Sequence, residues 1–279
     1  MISDITLGQY FPGTSILHKM DPRVKILLTV AYIVAIFLCK YVLTYALMLL
    51  FTAWLVLASG ISFKTILRSL RPIVIILIIT ALINVLFTGG EGEPLFVLWK
   101  IRVYEAGLWR ALFMALRVVM LVAAGSLFLT YTTSPIALTD AIEALLSPLR
   151  LIRVPVHEFA MMMTIALRFI PILIEEAEKI MNAQKSRGAD LSTGGPVKRI
   201  KGLVPIIVPL FISAFQRAMD LATAMECRCY RGGKGRTKLR RYRVGWRDLV
   251  MVLLMTGVTL GIVLGNRHLP ALVGWGYSL

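Results

Sequence analysis

The chain has 279 residues, of which 58% are hydrophobic and only 16% charged, and its mean hydropathy is +0.78. This is far more apolar than the surface of a water-soluble protein permits, so a soluble domain is excluded. The formal net charge of +16 is unaccompanied by any nucleic-acid-binding motif, whereas Lys and Arg commonly gather near anionic lipid headgroups. The composition predicts a protein of the lipid bilayer that binds no nucleic acid.

Five apolar stretches are expected to cross the membrane as helices, because a bilayer core of roughly 30 Å needs about 20 largely apolar residues per helix. They are residues 26–39, 42–59, 72–88, 108–133 and 249–266. Residues 1–23 have no apolar core, so no cleavable signal peptide is expected. The sequence therefore predicts an all-α, polytopic membrane protein with about five transmembrane helices.

The fourth stretch carries two cations, Arg110 and Arg117, which lie seven residues apart and so on one helix face. We interpret Arg117 as snorkelling to the interface or pairing with a neighbouring helix. The alternative is a functional site inside the membrane.

Loop charges predict the orientation of these spans. The loop at residues 62–71 carries Lys64, Arg68 and Arg71 and no acid, whereas the loop at residues 89–107 has more acids than bases. Because Lys and Arg accumulate on the cytoplasmic side, the first of these loops is expected there. The N-terminus is then cytoplasmic and the C-terminus extracellular.

The chain is expected to divide into three parts: a membrane region of four spans at 1–133, a cytoplasmic-side segment at 134–245 and a final span at 246–279. In the middle segment, Ser134 caps a short amphipathic helix. We expect two long helices after it, set along the inner face of the membrane. The alternative makes residues 159–174 and 203–215 two additional spans.

Each long helix ends in a short motif that contains an arginine. Pro155 opens the first helix, which runs to Arg187 and stops at Gly188, and the second ends around Arg228. One interpretation is that each cation complements the helix dipole. The other is that the two arginines dock into two equivalent sockets of a partner, since the planar guanidinium fork suits grooves lined by carboxylates and carbonyls.

The sequence resembles the transmembrane T components of energy-coupling-factor (ECF) importers, most closely the shared, stand-alone kind. The resemblance covers essentially the whole chain and is carried by residues 10–23, 155–171 and 226–237. The family's typical motif at both helix ends is Ala-Arg-Gly. Here Ser186 precedes Arg187 and Gly188, while Cys227 and Cys229 flank Arg228.

The resemblance implies a subunit of an ABC-type importer in the plasma membrane of a prokaryote. Its partners are two ATPase subunits, coupled through Ser186, Arg187, Gly188, Cys227, Arg228 and Cys229. A membrane-embedded S component, which captures a vitamin or similar micronutrient, is expected to face Ile165, Phe169, Ile207 and Phe211. The chain lacks the Gly-x-x-x-x-Gly-Lys-Ser/Thr loop that binds ATP, so ATP hydrolysis is assigned to the partners.

No catalytic chemistry is expected of the chain itself. It has no Ser/His/Asp or Cys/His set and no pattern of metal ligands, and its three histidines are scattered singly. We therefore expect no enzyme activity, no cofactor and no metal. A secondary transporter with its own substrate site is the alternative, but it predicts charges near the midplane, and four of the five predicted spans have none.

Overall fold

The computed structural model describes residues 10–87, 96–98, 101–188, 195–232 and 242–272, and helices dominate it. The helices are α1 Pro22–Leu38, α2 Val42–Ser59, α3 Phe63–Leu70, α4 Val74–Phe87, α5 Glu105–Gly125, α6 Pro135–Leu145, α7 Val156–Ser186, α8 Pro196–Cys227 and α9 Trp246–Leu272. Two three-residue strands, β1 Phe96–Leu98 and β2 Ile101–Val103, form an antiparallel hairpin with Phe96 opposite Val103. The predicted all-α class is confirmed.

Six helical segments in the described part of the chain are long and apolar enough to cross a membrane, which confirms a polytopic membrane protein. They are Val42–Ser59, Phe63–Phe87, Glu105–Tyr131, Val156–Ser186, Gly202–Cys227 and Trp246–His268. Helix α1, with 17 residues, matches the first predicted span. Because α7 and α8 are among the six, the in-plane and membrane-spanning arrangements of these two helices both stay predictions.

Short-range capping explains where several helices start and stop. The Asp21 carboxylate accepts a 2.9 Å hydrogen bond from the backbone N–H of Arg23 at the start of α1, as a good N-cap does. Gly60, with φ at +69°, ends α2. The predicted cap at Ser134 is confirmed, since its hydroxyl accepts from the N–H of Ala137 at 3.3 Å.

The region predicted as a loop followed by the span 72–88 is organised differently. Residues Phe63–Leu70 form the separate helix α3, and a 3₁₀ turn at Arg71–Ile73 leads into α4. Ile66, the buried residue of α3, packs into the core. Burial of this one side chain stabilises a short helix that its three cations had suggested to be a loop.

The chain after α5 widens into a π-helical turn at Ser126–Tyr131. In a π turn each backbone carbonyl accepts from the N–H five, not four, residues later. Two hydroxyls bond to the carbonyls of this turn as well: Thr132 donates to the Leu127 carbonyl at 2.8 Å and Thr133 to the Phe128 carbonyl at 2.8 Å.

The chain divides into two compact units. One, here called the frame, consists of Gly8–Ala141 and Arg241–Leu279, and the other, the hairpin unit, contains Ile142–Arg240. The frame holds the hydrophobic core, in which side chains of α1, α2, α5 and α9 are buried together. Within it, the hydroxyls of Tyr32 and Thr52 share a 2.6 Å hydrogen bond.

A buried lysine joins three parts of the frame. Lys25 is only 1% exposed, and its ammonium donates to the Thr132 carbonyl at 2.8 Å and to the Thr133 hydroxyl at 3.1 Å. Nearby, the Asp248 carboxylate at the start of α9 accepts from the N–H of Asp21 at 3.0 Å. These five residues, the Lys25 cluster, tie the start of α1 to the end of α5 and to α9.

Arg117 pairs with neighbouring helices, as the sequence interpretation predicted. Its guanidinium donates to the Tyr45 hydroxyl on α2 and lies 5.4 Å from the ring centre of Phe37 on α1. Aromatic faces attract such a cation, especially where it is partly shielded from water.

Candidate functional site

Helices α7 and α8 pack side by side and antiparallel within the hairpin unit. Arg217 on α8 forms an ion pair with Glu176 on α7 at 3.0 Å, and the Gln184 amide reaches the Pro205 carbonyl at 3.4 Å. The later residues of α7 thus lie beside the earlier residues of α8. The sequence analysis missed the Glu176–Arg217 pair, for which opposite charges in the two polar helix halves were the available signal.

The C-terminal end of α7 is shaped by a glycine. Arg187 is the C-cap residue, and Gly188, with φ at +84°, follows it and donates its N–H to the Lys185 carbonyl at 3.0 Å. Glycine adopts this left-handed backbone without steric cost. Ser186, Arg187 and Gly188 are all exposed, so the predicted stop is confirmed and the arginine lies at the tip of the helix.

The C-terminal end of α8 repeats this geometry without a glycine. Arg228 is again the C-cap residue, and Cys229, with φ at +55°, takes the left-handed position. Its N–H donates to the Glu226 carbonyl at 2.8 Å, while that of Tyr230 donates to the Met225 carbonyl at 3.0 Å. These two bonds define a complete Schellman motif. A non-glycine residue in this conformation costs about 1–2 kcal/mol.

The two arginines therefore occupy the same position at two helix ends, directly before a left-handed residue. Neither guanidinium forms an ion pair within the described parts of the chain. Cys227 and Cys229 are exposed free thiols on either side of Arg228. Both tips thus present a cation that is available to a partner.

Because the hairpin is antiparallel, these two tips lie at its opposite ends. The Arg187 tip lies three residues after Gln184, whose amide contacts the Pro205 carbonyl. From Pro205 to Arg228 there are roughly 23 helical residues, which corresponds to about 35 Å at the rise of an α-helix. The Arg228 tip instead borders an open cavity lined by Met161 and Ile165 of α7.

The four residues expected to face an S component fall into two groups. Ile207 and Phe211 on α8 are 56% and 62% exposed. Ile165 and Phe169 on α7 are half-buried, and Ile165 lines the cavity beside Arg228. The exposed pair belongs to a longer row on α8, here called the α8 apolar face: Leu203, Ile207, Phe211, Phe215 and Met219, all exposed.

Comparison with known proteins decides the family. Residues 13–239 match the family described as cobalt transport protein, CbiQ. The energy-coupling factor transporter transmembrane protein EcfT of Clostridium kluyveri is 54% identical over 254 residues, which are 91% of this chain and 93% of the relative. The chain belongs to the EcfT family. Two other EcfT proteins agree. That of Acidaminococcus fermentans is 47% identical over 97% of this chain and all of the relative, and that of Bacillus subtilis is 48% identical over 86% of this chain and 90% of the relative.

Membership of the EcfT family identifies the chain as a transmembrane component of an ECF transporter, not as a catalytic subunit. Within the described residues, no group of three or more His, Cys, Asp or Glu side chains could hold a metal ion. Some polar side chains of this EcfT-family protein are used in bonds within the fold.

Two of the histidines illustrate this use. The imidazole of His157 contacts the Glu143 carboxylate at 3.0 Å. His18 is bonded to the Ser15 hydroxyl at 2.7 Å and, through Nε2, to the Phe11 carbonyl at 2.9 Å. Nε2 is the donor in the second bond, because a carbonyl oxygen can only accept, and burial lowers the pKa of His18.

Some residues quoted for the family resemblance lie outside the described residues. They are residues 233–237, the last part of the stretch quoted at 226–237.

Proposed function

We propose that this EcfT-family chain transmits the ATP-driven motion of two ATPase subunits to a substrate-binding S component, for uptake of a vitamin or similar micronutrient. The observation that carries the proposal is the pair of exposed arginine tips, Arg187 and Arg228, at opposite ends of one antiparallel helical hairpin. The chain's partners are then two ATPases and one S component in the cell membrane.

The antiparallel arrangement suits a two-fold partner. Two antiparallel helices are related by an approximate two-fold axis perpendicular to the pair, and this axis exchanges the Arg187 tip with the Arg228 tip. Two ATPase subunits that dimerise about a two-fold axis present the same groove twice. Each arginine fork docks into one groove, where it bonds carboxylates or carbonyls bidentately.

The S component occupies the α8 apolar face in this proposal. A contiguous row of exposed Leu, Ile, Phe and Met side chains is characteristic of an interaction surface. Because the row lies on the same helix as Arg228, a displacement of that tip moves the surface on which the S component rests. Closing of the ATPase pair therefore tilts the S component and releases its substrate.

Replacing the two arginines tests the coupling. Arg187→Ala and Arg228→Ala are each expected to lose about 2–5 kcal/mol of ATPase binding, as for a truncated charged anchor, and the double variant loses far more because the two contacts act together. Lys at either position restores the charge but not the fork, so its rescue is partial. The measurements are co-purification of the ATPases and vitamin uptake at matched expression.

Lys185→Ala is the matched control, since it removes an exposed cation two residues from Arg187 and is expected to leave binding unchanged. If the arginines only complement the helix dipoles, each alanine variant costs no more than about 1 kcal/mol of local stability. Uptake at the wild-type rate in the double variant would refute the proposed function.

The orientation is proposed separately, with the N-terminus cytoplasmic and the C-terminus extracellular. In a background without native cysteines, Lys40→Cys is expected to react with a membrane-impermeant thiol reagent in intact cells, and Lys64→Cys and Asn182→Cys to resist it. All three positions are exposed in the structure. Labelling of Asn182→Cys from outside would show that α7 crosses the membrane.

A further inference from the structure

Helix α3 and the first residue of the 3₁₀ turn after it carry a strip of cations that the proposed transport mechanism does not use. Lys64, Arg68 and Arg71 are all exposed, and none of them forms an ion pair within the described part of the chain. Residues 60–90 contain no Asp or Glu at all. These three residues, the α3 basic strip, therefore lack a local counter-charge.

The sides of α3 are sharply sorted. Successive residues of an α-helix are about 100° apart around its axis. Ile66 and Leu70 therefore share one side of α3, Phe63 and Leu67 share the adjacent side, and the basic strip lies on the side after that. Ile66 is buried in the frame, and the Tyr131 hydroxyl donates to the Thr65 carbonyl at 3.4 Å. The helix is thus fixed to the frame and leaves an apolar strip and a basic strip exposed.

Connectivity places α3 at a membrane surface. The span candidate α2 ends at Ser59, three residues before α3, and α3 itself forms the start of the candidate span Phe63–Phe87, whose α4 part carries no charged residue. The cations therefore gather at one end of this span, and such an end lies in the interface, where apolar side chains reach the acyl boundary and cations stay among the headgroups.

We propose that α3 binds the headgroup of an anionic phospholipid. Phe63 and Leu67, both mostly exposed, contact the start of the acyl chains, and the α3 basic strip holds the phosphate. The arginine forks of Arg68 and Arg71 match phosphate oxygens bidentately. A lipid fits this combination better than an acidic protein segment, because only a lipid supplies an apolar part and an anion at this depth.

The test titrates the purified, delipidated full-length chain with phosphatidylglycerol or phosphatidylcholine and counts bound lipids by native mass spectrometry. Each cation near an anionic lipid surface contributes about fivefold in affinity. The triple variant Lys64→Gln, Arg68→Gln, Arg71→Gln is therefore expected to bind phosphatidylglycerol at least tenfold more weakly, with binding of phosphatidylcholine unchanged. Added salt weakens the wild-type interaction as well.

A matched triple variant separates this site from bulk charge. Lys40→Gln, Arg110→Gln and Arg267→Gln remove the same three charges from exposed positions elsewhere in the frame and are expected to leave phosphatidylglycerol binding intact. Equal losses in both triple variants, or no loss in the α3 variant, would overturn the proposal. If the α3 triple variant does not fold, each single α3 variant is expected to lose about fivefold.

Two further outcomes identify a different occupant. Displacement of phosphatidylglycerol by inorganic phosphate at equal concentration would show a free-phosphate site and overturn the lipid assignment. Loss of a co-purifying ATPase or S component from the α3 variant, with lipid binding unaffected, would show a protein interface. Neither outcome bears on the arginine tips, so this proposal and the proposed function fail independently.

Discussion

The two compact units hide their apolar side chains to very different degrees. In the frame, 39% of the apolar stretch of α2 and 33% of that of α5 is buried, with the span that contains α4 as an exception at 0%, whereas α7 and α8 of the hairpin unit bury only 6% each. A structure that buries so little apolar surface gains little stability from its own core. The frame is stabilised by its own packing, and the hairpin unit needs lipid or partner proteins to cover it.

Exposure alone does not distinguish a lipid-facing helix from a partner-binding one, as α4 shows. The stretch Phe63–Phe87 is 0% buried in its apolar part, but α4 is apolar all round, as expected for a helix bathed in lipid. Helix α8 instead combines the α8 apolar face with a charged second half that ends at Arg228. Such a mixed surface is typical of a site for a protein partner.

The largest expected effect tests the self-sufficiency of the frame. Lys25→Ala removes a buried cation that donates hydrogen bonds to Thr132 and Thr133. The nearby carboxylates of Asp21 and Asp248 then lose the positive charge of this lysine. Breaking a buried charge cluster in this way is expected to cost about 3–5 kcal/mol of unfolding free energy. Thermal unfolding of the purified protein measures it.

Lys40→Ala, at an exposed position of the same unit, is the control and is expected to change stability by less than about 0.5 kcal/mol. Similar stability of the Lys25 and Lys40 variants would mean that the Lys25 cluster does not hold the frame together.

The next effect tests the α8 apolar face. Ile207→Asp places a charge on an exposed apolar row and is expected to cost at least about 2 kcal/mol of S-component binding, with ATPase binding retained. Pull-down of both partners measures this. Gln216→Asp, at an exposed position on the opposite side of α8 and far from the Arg228 tip, adds the same charge and should leave both partners bound.

Ile165→Asp is a poorer probe of the same surface, because Ile165 is half-buried and lines the cavity against α8. It is expected to destabilise the hairpin unit as well. Retention of the S component by the Ile207 variant would assign the α8 apolar face to lipid, like α4.

A smaller pair of effects, of opposite sign, tests the two helix tips. Cys229→Gly relieves the strain of the left-handed backbone at φ +55° and is expected to stabilise the end of α8 by about 1 kcal/mol. Gly188→Ala introduces the same strain at φ +84° and is expected to destabilise the end of α7 by a similar amount. Hydrogen exchange of amides 225–230 and 185–188 reports each tip. The same sign in both variants would contradict the shared geometry.

The smallest effect concerns the ion pair between the hairpin helices. The side chains of Arg217 and Glu176 are 41% and 25% exposed, so water screens the pair and its contribution is at most about 1 kcal/mol. A double-mutant cycle with Arg217→Ala and Glu176→Gln measures the coupling free energy. A coupling above about 3 kcal/mol would show that the pair is shielded by a partner.

Local features of the fold were predictable because they depend on neighbours in sequence. The bounds of α2, the cap at Ser134 and the stop at Gly188 all follow from patterns a few residues long. The predicted cation at each helix tip also has the expected local position. Helix α3 was missed because three cations masked the i,i+4 spacing of Ile66 and Leu70, which was the available signal.

Features set by distant contacts were not predictable. In the sequence, Lys25 has the position of a polar residue that flanks a span. Nothing near it in sequence indicates that Thr132 and Thr133 accept hydrogen bonds from its ammonium. Likewise, two similar helix ends do not reveal that they lie at opposite ends of an antiparallel pair. That register depends on the contact of Glu176 with Arg217.

The π-helical turn at Ser126–Tyr131 makes the structure sensitive to any residue inserted or deleted at this point of the chain. Such a turn contains one residue more than the α-helical turn it replaces. Deleting one residue here would restore a regular helix, but it would rotate everything that follows by about 100°. The hydroxyls of Thr132 and Thr133 would then turn away from Lys25. Natural variants of the chain are therefore expected to exchange side chains in this turn but to carry no insertion or deletion within it.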